Sequence, residues 1–557
     1  MPRLPGSPPI VVRLPFVVAF ILSGLQKPLN ADDAAQSRPN VLVILADDLG
    51  YSDLGCYGGE IDTPHLDALA AGGLRYTSFY NTARCWPTRA ALLTGYYAQQ
   101  VRRDALPTVP GGGARGQRPV WAPLLPVRLR PAGYRSYYSG KWHLDGTPAA
   151  SGFDLSYELM DQGRYFRATR HQKNGQELPP TSNSDGSYST VAIADHAIDQ
   201  LSQHAASHPA QPFFQYVAFT APHFPLQALP EDIRKYADRY RAGWEALRQQ
   251  RWERMRSTGL LSGSLSPVER TLGPPYAFPD DIKALGAGEV SLPLPWDELT
   301  EEQQSFQAMK MAIHAAMVDR MDQEIGRILS QLRQMNAIEN TLILFLSDNG
   351  ASAEIMVRSD GHDPAAPMGS AATHLCLGPG WSTVSNTPFR RHKTWVHEGG
   401  ISTPLIVNWP AKISARGEFR RRAGHVIDIV PTILELAGVP LPEPNADTSA
   451  PELPGHSLIP SFSNDTSTPH KSLWWLHEGN RAVQMGNWKL VAAKNQPWEL
   501  YDLTTDRAEQ QNLADVNPDV LETLQTEWNR LTNEFTELAQ RNPIPEPAPS
   551  NKGLKAP

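Results

Sequence analysis

Two short segments constrain the fold more than any others in the chain. Val41–Ala46 reads VLVILA and Thr341–Leu346 reads TLILFL, and neither alternates between apolar and polar residues. A strand with one wet face alternates; a strand without alternation is covered on both faces, as in a parallel sheet between two helical layers. Phe213–Phe219 (FFQYVAF) and Tyr137–Ser139 fit the same role. Each segment runs directly into polar residues. These are Asp47-Asp48, then Ser347-Asp348-Asn349, then Thr220-Ala221-Pro222-His223, then Gly140-Lys141-Trp142-His143. In open α/β sheets ligands bind at the carboxyl ends of the strands. Segments far apart in sequence are therefore expected to supply one site.

Helical patterns fill the gaps between strands. Thr63-Pro64 opens one helix and Gly72-Gly73 stops it. Thr300-Glu301-Glu302-Gln303 reads as a capping box. The helix after it places Phe306, Met309, Ile313, Met317, Met321, Ile325 and Ile328 at three- and four-residue spacing, a core-packing stripe. Asp238–Ser257 is another expected helix, with Tyr240, Trp244 and Leu247 on one face. It lies in a polar insertion, Leu229–Leu299, that reads as a solvated excursion. Asp428–Ala437 closes the main pattern at Gly438, and Pro440–Pro460 reads as a linker. Beyond it, Ser472–Asp502 alternates short strands with turns at Glu478-Gly479-Asn480 and Gly486-Asn487, and Asp515–Leu538 is helical. The expected fold class is α/β: a large mixed, mostly parallel sheet in a catalytic unit spanning 38–460, then a small subdomain, 461–541, with an antiparallel sheet and a packed helix. The proline-rich tail, 542–557, reads as disordered.

The 557 residues are 41% apolar, enough for a large core, and 51 basic against 58 acidic residues leave a net charge of -7, which excludes nucleic acid as the expected partner. Arg3 and Arg13 precede an apolar run, Leu14–Leu25, that is too short to span a bilayer. With Ala31 as a small residue at the cleavage point, 1–31 reads as a signal peptide. The expectation is a secreted or periplasmic protein without stable membrane insertion. Cys56, Cys85 and Cys376 are the only cysteines. At most one pair can form, so this is no disulfide scaffold. The thiol left over requires a reason.

Two constellations carry chemistry. Asp47-Asp48 alone reads as a helix cap and Asp348-Asn349 alone as a turn. Together they put three carboxylates in one crevice, which calls for a cation. No histidine or cysteine adjoins them in sequence, so oxygen ligation by calcium, or magnesium, is expected. Arg89, Lys141, His143, His223 and Lys393 form the second set. Each alone reads as a surface charge or a structural histidine. Gathered beside a metal, they suit a tetrahedral oxyanion, a sulfate or phosphate ester. Cys85 fits neither set. Pro87 places it at a helix N-terminus, where a thiolate is favoured, yet a soft thiolate beside a hard cation is a mismatch.

The stretch RCWPTRAALLTG, residues 84–95, resembles the sulfatase family signature C-x-P-x-R with its trailing Thr94-Gly95. So do PNVLVILADDLGYSDLGCYG, TPHLDALAAGGLRYTSFY, GKWHL, APHFP, SDNG, FRRHKTWVHEGG, RAVQMGNWKLV and ELYDLTTD, in order, from about Arg38 to about Leu513. The resemblance is to the formylglycine-dependent, arylsulfatase-like members, and it implies an alkaline-phosphatase-like sandwich. It implies that a maturing enzyme oxidises Cys85 to formylglycine, whose hydrate attacks sulfur. It also implies that Asp47, Asp48, Asp348, Asn349 and the modified Cys85 hold the metal, usually calcium. Arg89 and Lys141 would stabilise the nucleophile and His143 would take the proton that expels sulfate. His223 and Lys393 would bind the ester and help the alcohol leave.

Arg391-His392, His397 and Trp86 depart from the family pattern beside the leaving-group side, and Pro126 and Pro131 break the helix before Lys141. The expected substrate is a sulfated carbohydrate or a small aryl sulfate. The tryptophans and arginines of the insertion are candidates to face a sulfated polysaccharide, or solvent. A phosphonate or phosphate ester hydrolase and a non-catalytic sulfated-glycan binder are the alternatives.

Overall fold

A computed structural model describes Met1, Pro2, Gly6 and residues 38–541, except 162–163, 183–184, 359–360, 445–449 and 466–468. The rest of the expected signal peptide and the tail 542–557 lie outside the described residues.

The strands of the main sheet are β1 (Asn40–Asp47), β2 (Leu74–Tyr80), β3 (Arg135–Gly140), β4 (Leu155–Leu159), β5 (His171–Lys173), β6 (Gln176–Glu177), β7 (Phe213–Pro222), β8 (Thr341–Ser347), β9 (Ser402–Asn408), β10 (Glu418–Arg420) and β11 (Gly424–His425). They lie in the order β10-β2-β9-β8-β1-β7-β3-β4-β5-β6, with β11 beside β2. β1 is central and parallel to β7 and β8, and β3 is parallel to β7. The four segments expected to end at one site are thus adjacent strands running in one direction.

The side chains of β1 explain why it does not alternate. Leu42, Ile44 and Ala46 enter one core, covered by helices Ser189–Ser207 and Glu301–Gln334. Val41, Val43 and Leu45 enter the other, covered by helices Cys85–Thr94 and Ile429–Ala437. Thr300 caps the long helix through the expected capping box with Gln303.

The second sheet comprises β12 (Leu473–His477), β13 (Asn480–Met485), β14 (Trp488–Ala492) and β15 (Glu499–Asp502), all antiparallel. Helix Pro518–Arg541 packs on it and sends Phe535 and Ala539 into the second core of the large sheet. Lys489, on β14, is fully buried between Glu398 at 2.9 Å and Glu509 at 2.8 Å. An ion pair sealed from water thus joins the two sheets.

The insertion corrects its sequence reading. It is packed, not a solvated excursion. Tyr236, Tyr240, Trp244, Trp252, Met255 and Leu260 belong to the first core. Trp244, Trp296 and Trp381 pack edge to face, with centroids 4.8 to 5.7 Å apart. The helix runs Gly243–Ser257, starting later than expected. Its arginines misled because charge was taken for exposure. Arg251 is buried and pairs with Asp53 at 2.8 Å and Glu60 at 2.7 Å, and Arg248 is buried against Ser266. These arginines, Trp244 and Trp252 are all buried. All three cysteines are unpaired.

Candidate active site

β1 ends at Asp47, and Asp48 follows with a left-handed φ of 65°. That conformation is costly for a non-glycine residue. Here it lets two consecutive acids serve one crevice instead of opposite faces. β8 delivers Asp348 and Asn349 beside them, and the Asp48 amide N–H donates to Asp348 Oδ1 at 3.4 Å. β3 ends at Gly140, where φ is 126° and a Cβ would lie 1.9 Å from the Ala218 carbonyl oxygen. Only glycine lets β3 approach β7 so closely, and Lys141 follows at once. His143 also has a positive φ, 54°.

Helix Cys85–Thr94 begins at Cys85 and ends at Gly95, whose φ of 79° makes a left-handed stop. Arg89 stands one turn after Cys85 on the same face. Its guanidinium is fully buried. Nε and Nη2 donate to Asp348 Oδ2 at 3.0 and 2.7 Å, and Nη1 donates to the Lys141 carbonyl at 2.7 Å. Lys141 pairs with Asp47. Lys393 lies 2.9 Å from the Asp48 carboxylate. Each acid therefore has a cation of the chain's own, so the repulsion read from the sequence is already offset.

What the site leaves open is oxygen. Asp47 Oδ1 and Asn349 Oδ1 are buried without a hydrogen-bond partner. Burial first, then neighbouring carboxylates, raise Asp348 to about 6, and burial raises Asp48 despite Lys393. Buried orphan oxygens among crowded carboxylates are what a hard divalent cation satisfies. Folding also brings in what sequence adjacency did not. Asp47, Asp48 and His223 place ligand atoms within 4.8 Å of one another, and so do Asp47, Cys85 and Asp348. Nitrogen and sulfur atoms thus lie within reach of the same space as the oxygens.

Burial, then Lys141 and Arg89, hold His143 well below its ordinary value, and burial, then Lys393 and Lys141, do the same for His223. His143 Nδ1 is buried without a partner. His223 Nδ1 bonds the Phe224 carbonyl, which leaves Nε2 with a lone pair 3.7 Å from Asp48. Burial pushes the Cys85 thiol up, against Lys141 and Lys393.

Sequence reasoning missed Glu354 and Arg84. Glu354 lies 3.0 Å from Lys393 Nζ and 3.1 Å from Arg84 Nη2. The only signal was position: one adjoins Cys85 and the other shares the loop after β8. Of the departures, His392 and His397 are buried away from any opening, and Arg391 pairs with Glu269 at 3.1 Å. Trp86 packs edge to face on His143, with centroids 5.7 Å apart.

Known proteins match this arrangement. The sulfatase family model matches residues 39–439, and the model described as N-sulphoglucosamine sulphohydrolase, C-terminal, matches 390–537. An uncharacterized sulfatase of Schizosaccharomyces pombe is 35% identical, over 89% of this chain and 93% of its own. The arylsulfatase of Klebsiella aerogenes is 32% identical over 76% of this chain and 90% of its own. The crystal structure of Ps i-CgsB in complex with k-i-k-neocarrahexaose shares the fold, at 24% identity and a TM-score of 0.62, over 91% of this chain and 94% of that one. With strands, acids and cysteine in this arrangement and the match covering most of its length, the chain belongs to the sulfatase family, whose members are sulfuric ester hydrolases.

Proposed function

We propose that the protein is an exported hydrolase of sulfate monoesters that acts after Cys85 is oxidised to formylglycine. The observation that carries this reading is the burial of Cys85 amid Arg89, Lys141 and Lys393, a poor setting for thiolate chemistry and a good one for an oxyanion. The aldehyde hydrate at position 85 would supply two hydroxyls, one to attack sulfur and one through which sulfate is later expelled. Asp47, Asp48, Asp348 and Asn349 would hold a divalent cation, calcium or magnesium, that offsets charge on the ester oxygens.

The chain's own residues divide the remaining work. Arg89 fixes Asp348 in one orientation, so the acid's other oxygen, Oδ1, points at a constant place. Lys141 and Lys393 place positive charge near Cys85, where negative charge develops. Neutral His143, with Nδ1 unused, accepts the proton whose loss releases sulfate. His223 and Lys393 border the alcohol side.

The substrate proposed is a sulfated carbohydrate, with aryl sulfates as small surrogates. Export rests on the pattern of residues 1–31; among the described residues no helix is long and apolar enough to cross a membrane. The division into 38–460 and 461–541 is proposed on the same footing as the site roles.

The test is the mass of the peptide containing Cys85, from protein made in its own host, with paired assays on sulfate and phosphate esters of one alcohol. An aldehyde and a preference for the sulfate ester are expected. An unmodified thiol in active protein would sink the mechanism, and a preference for phosphate would move the protein to the alternative reaction.

A further inference from the structure

Another open space lies apart from the crevice that holds Cys85. A cavity of about 520 Å³ opens between β2 and the start of the small sheet, and its wall includes none of the proposed site residues. β12 measures the separation. His477, its last residue, packs on Trp86 next to Cys85, whereas Leu473, its first, lines the cavity. Four residue steps of roughly 3.3 Å put about 13 Å between them. Gln484, the register partner of Leu473, lines the cavity too.

The wall carries one sign of charge. Arg421, Arg422, Arg507 and His470 line it, and no aspartate or glutamate does. Behind the wall the charges are partly balanced. Arg507 donates to Glu398 at 2.8 Å and His470 pairs with Asp428 at 3.0 Å. Asp465 accepts the backbone N–H groups of Arg421 and Arg422. The Arg421 guanidinium donates to the carbonyls of Leu260 and Gly259 and has no carboxylate partner among the described residues. Arg507 Nε is buried without a hydrogen-bond partner. The rest of the wall mixes hydroxyls and amides, such as Ser78, Thr504 and Asn487, with apolar surface from Leu473 and Leu503.

Guanidinium groups around a space without acids select an oxyanion. The volume far exceeds one sulfate ion and falls within the range of sites that enclose a small organic ligand, roughly 300–1,000 Å³. The hydroxyls and amides match the hydroxyls of a sugar. We infer that this cavity binds an acidic sugar unit, bearing sulfate or carboxylate, at a place separate from the catalytic centre. The inference does not depend on the reaction proposed above.

Cys85→Ala protein carries the test, because it retains the cavity and cannot consume a ligand by the proposed route. Calorimetric titration would use glucose 6-sulfate and glucuronate, with glucose and inorganic sulfate as comparison probes. At least one of the acidic sugars is expected to bind. Its affinity should fall at least about tenfold, near 1.4 kcal/mol, when Arg421 and Arg422 are both replaced by alanine. The same fall is expected for Ser262→Trp, which fills the cavity and keeps the charges. Thermal unfolding should be unchanged, and in matured enzyme without the Cys85→Ala replacement the arginine pair should leave kcat on a small aryl sulfate unchanged. Loss of folding or of that kcat in both variants would make the arginines structural and overturn the inference. So would affinity that neither variant alters, or binding of neither acidic sugar. Inorganic sulfate binding as tightly as glucose 6-sulfate would overturn the sugar assignment.

Discussion

Arg89 and Asp348 meet as a fork on a single oxygen, with Nε and Nη2 of the arginine 3.0 and 2.7 Å from Asp348 Oδ2, both side chains wholly out of water. Such a pair gains little over an apolar replacement, but breaking it strands a charge. Arg89→Ala is therefore expected to destabilise the protein by about 3–5 kcal/mol and to abolish ester hydrolysis. Denaturant unfolding checks the first and a turnover assay the second; a stability change below about 1 kcal/mol would show that water reaches Asp348.

The orphan oxygens of Asp47 and Asn349 make a separate prediction. Exhaustive chelation should remove sulfate ester hydrolysis and lower the midpoint of thermal unfolding, and calcium or magnesium should restore both. Asn349→Leu, which removes an oxygen without changing charge, should raise the cation concentration needed for half-restoration at least about tenfold. Full activity in the chelated protein would rule the cation out.

Acid should loosen the joint between the sheets. Burial acts to raise Glu398, but Lys489 and Arg507 outweigh it and hold the carboxyl down to about 2, against an ordinary 4.5. A depressed carboxylate contributes stability that is complete above the unfolded value and lost as pH falls through the folded one. The loss should run from about 4.5 down to about 2. Glu398→Gln should flatten the stability profile across that window, and an unchanged slope would place the acid sensitivity elsewhere.

Trp244 tests the corrected insertion. Its ring is wholly buried, with Nε1 donating to the Leu294 carbonyl at 2.9 Å. Trp244→Ala should cost about 3–5 kcal/mol of stability while leaving KM for a small sulfate ester within about twofold. A KM change without a stability change would return the residue to the substrate.

The sequence made the central strands, their direction and the small sheet legible because apolar runs and turn residues are local signals. Helix Ile429–Ala437 ended at Gly438 as its glycine required. The cluster of Asp47, Asp48, Asp348 and Asn349 was legible because all four terminate such strands. The insertion was not, because Arg248 and Arg251 find their partners in distant segments, at Ser266 and at Asp53 and Glu60. The same distance hid Glu354 from Lys393. The meeting of His223 with Asp47 and Asp48 was legible as the acid cluster was, since His223 follows a parallel strand next to theirs.

The alternation along β1 has an evolutionary corollary. Leu42, Ile44 and Ala46 face one core and Val41, Val43 and Leu45 the other. Inserting or deleting a single residue between 40 and 47 would exchange the two sets and turn Asp47 away from its partners. This strand can drift in sequence, one aliphatic side chain for another, but it cannot drift in length. Lineages descending from this chain should carry their insertions and deletions elsewhere, with the interval from β1 to Asp48 kept as a fixed ruler for everything built on it.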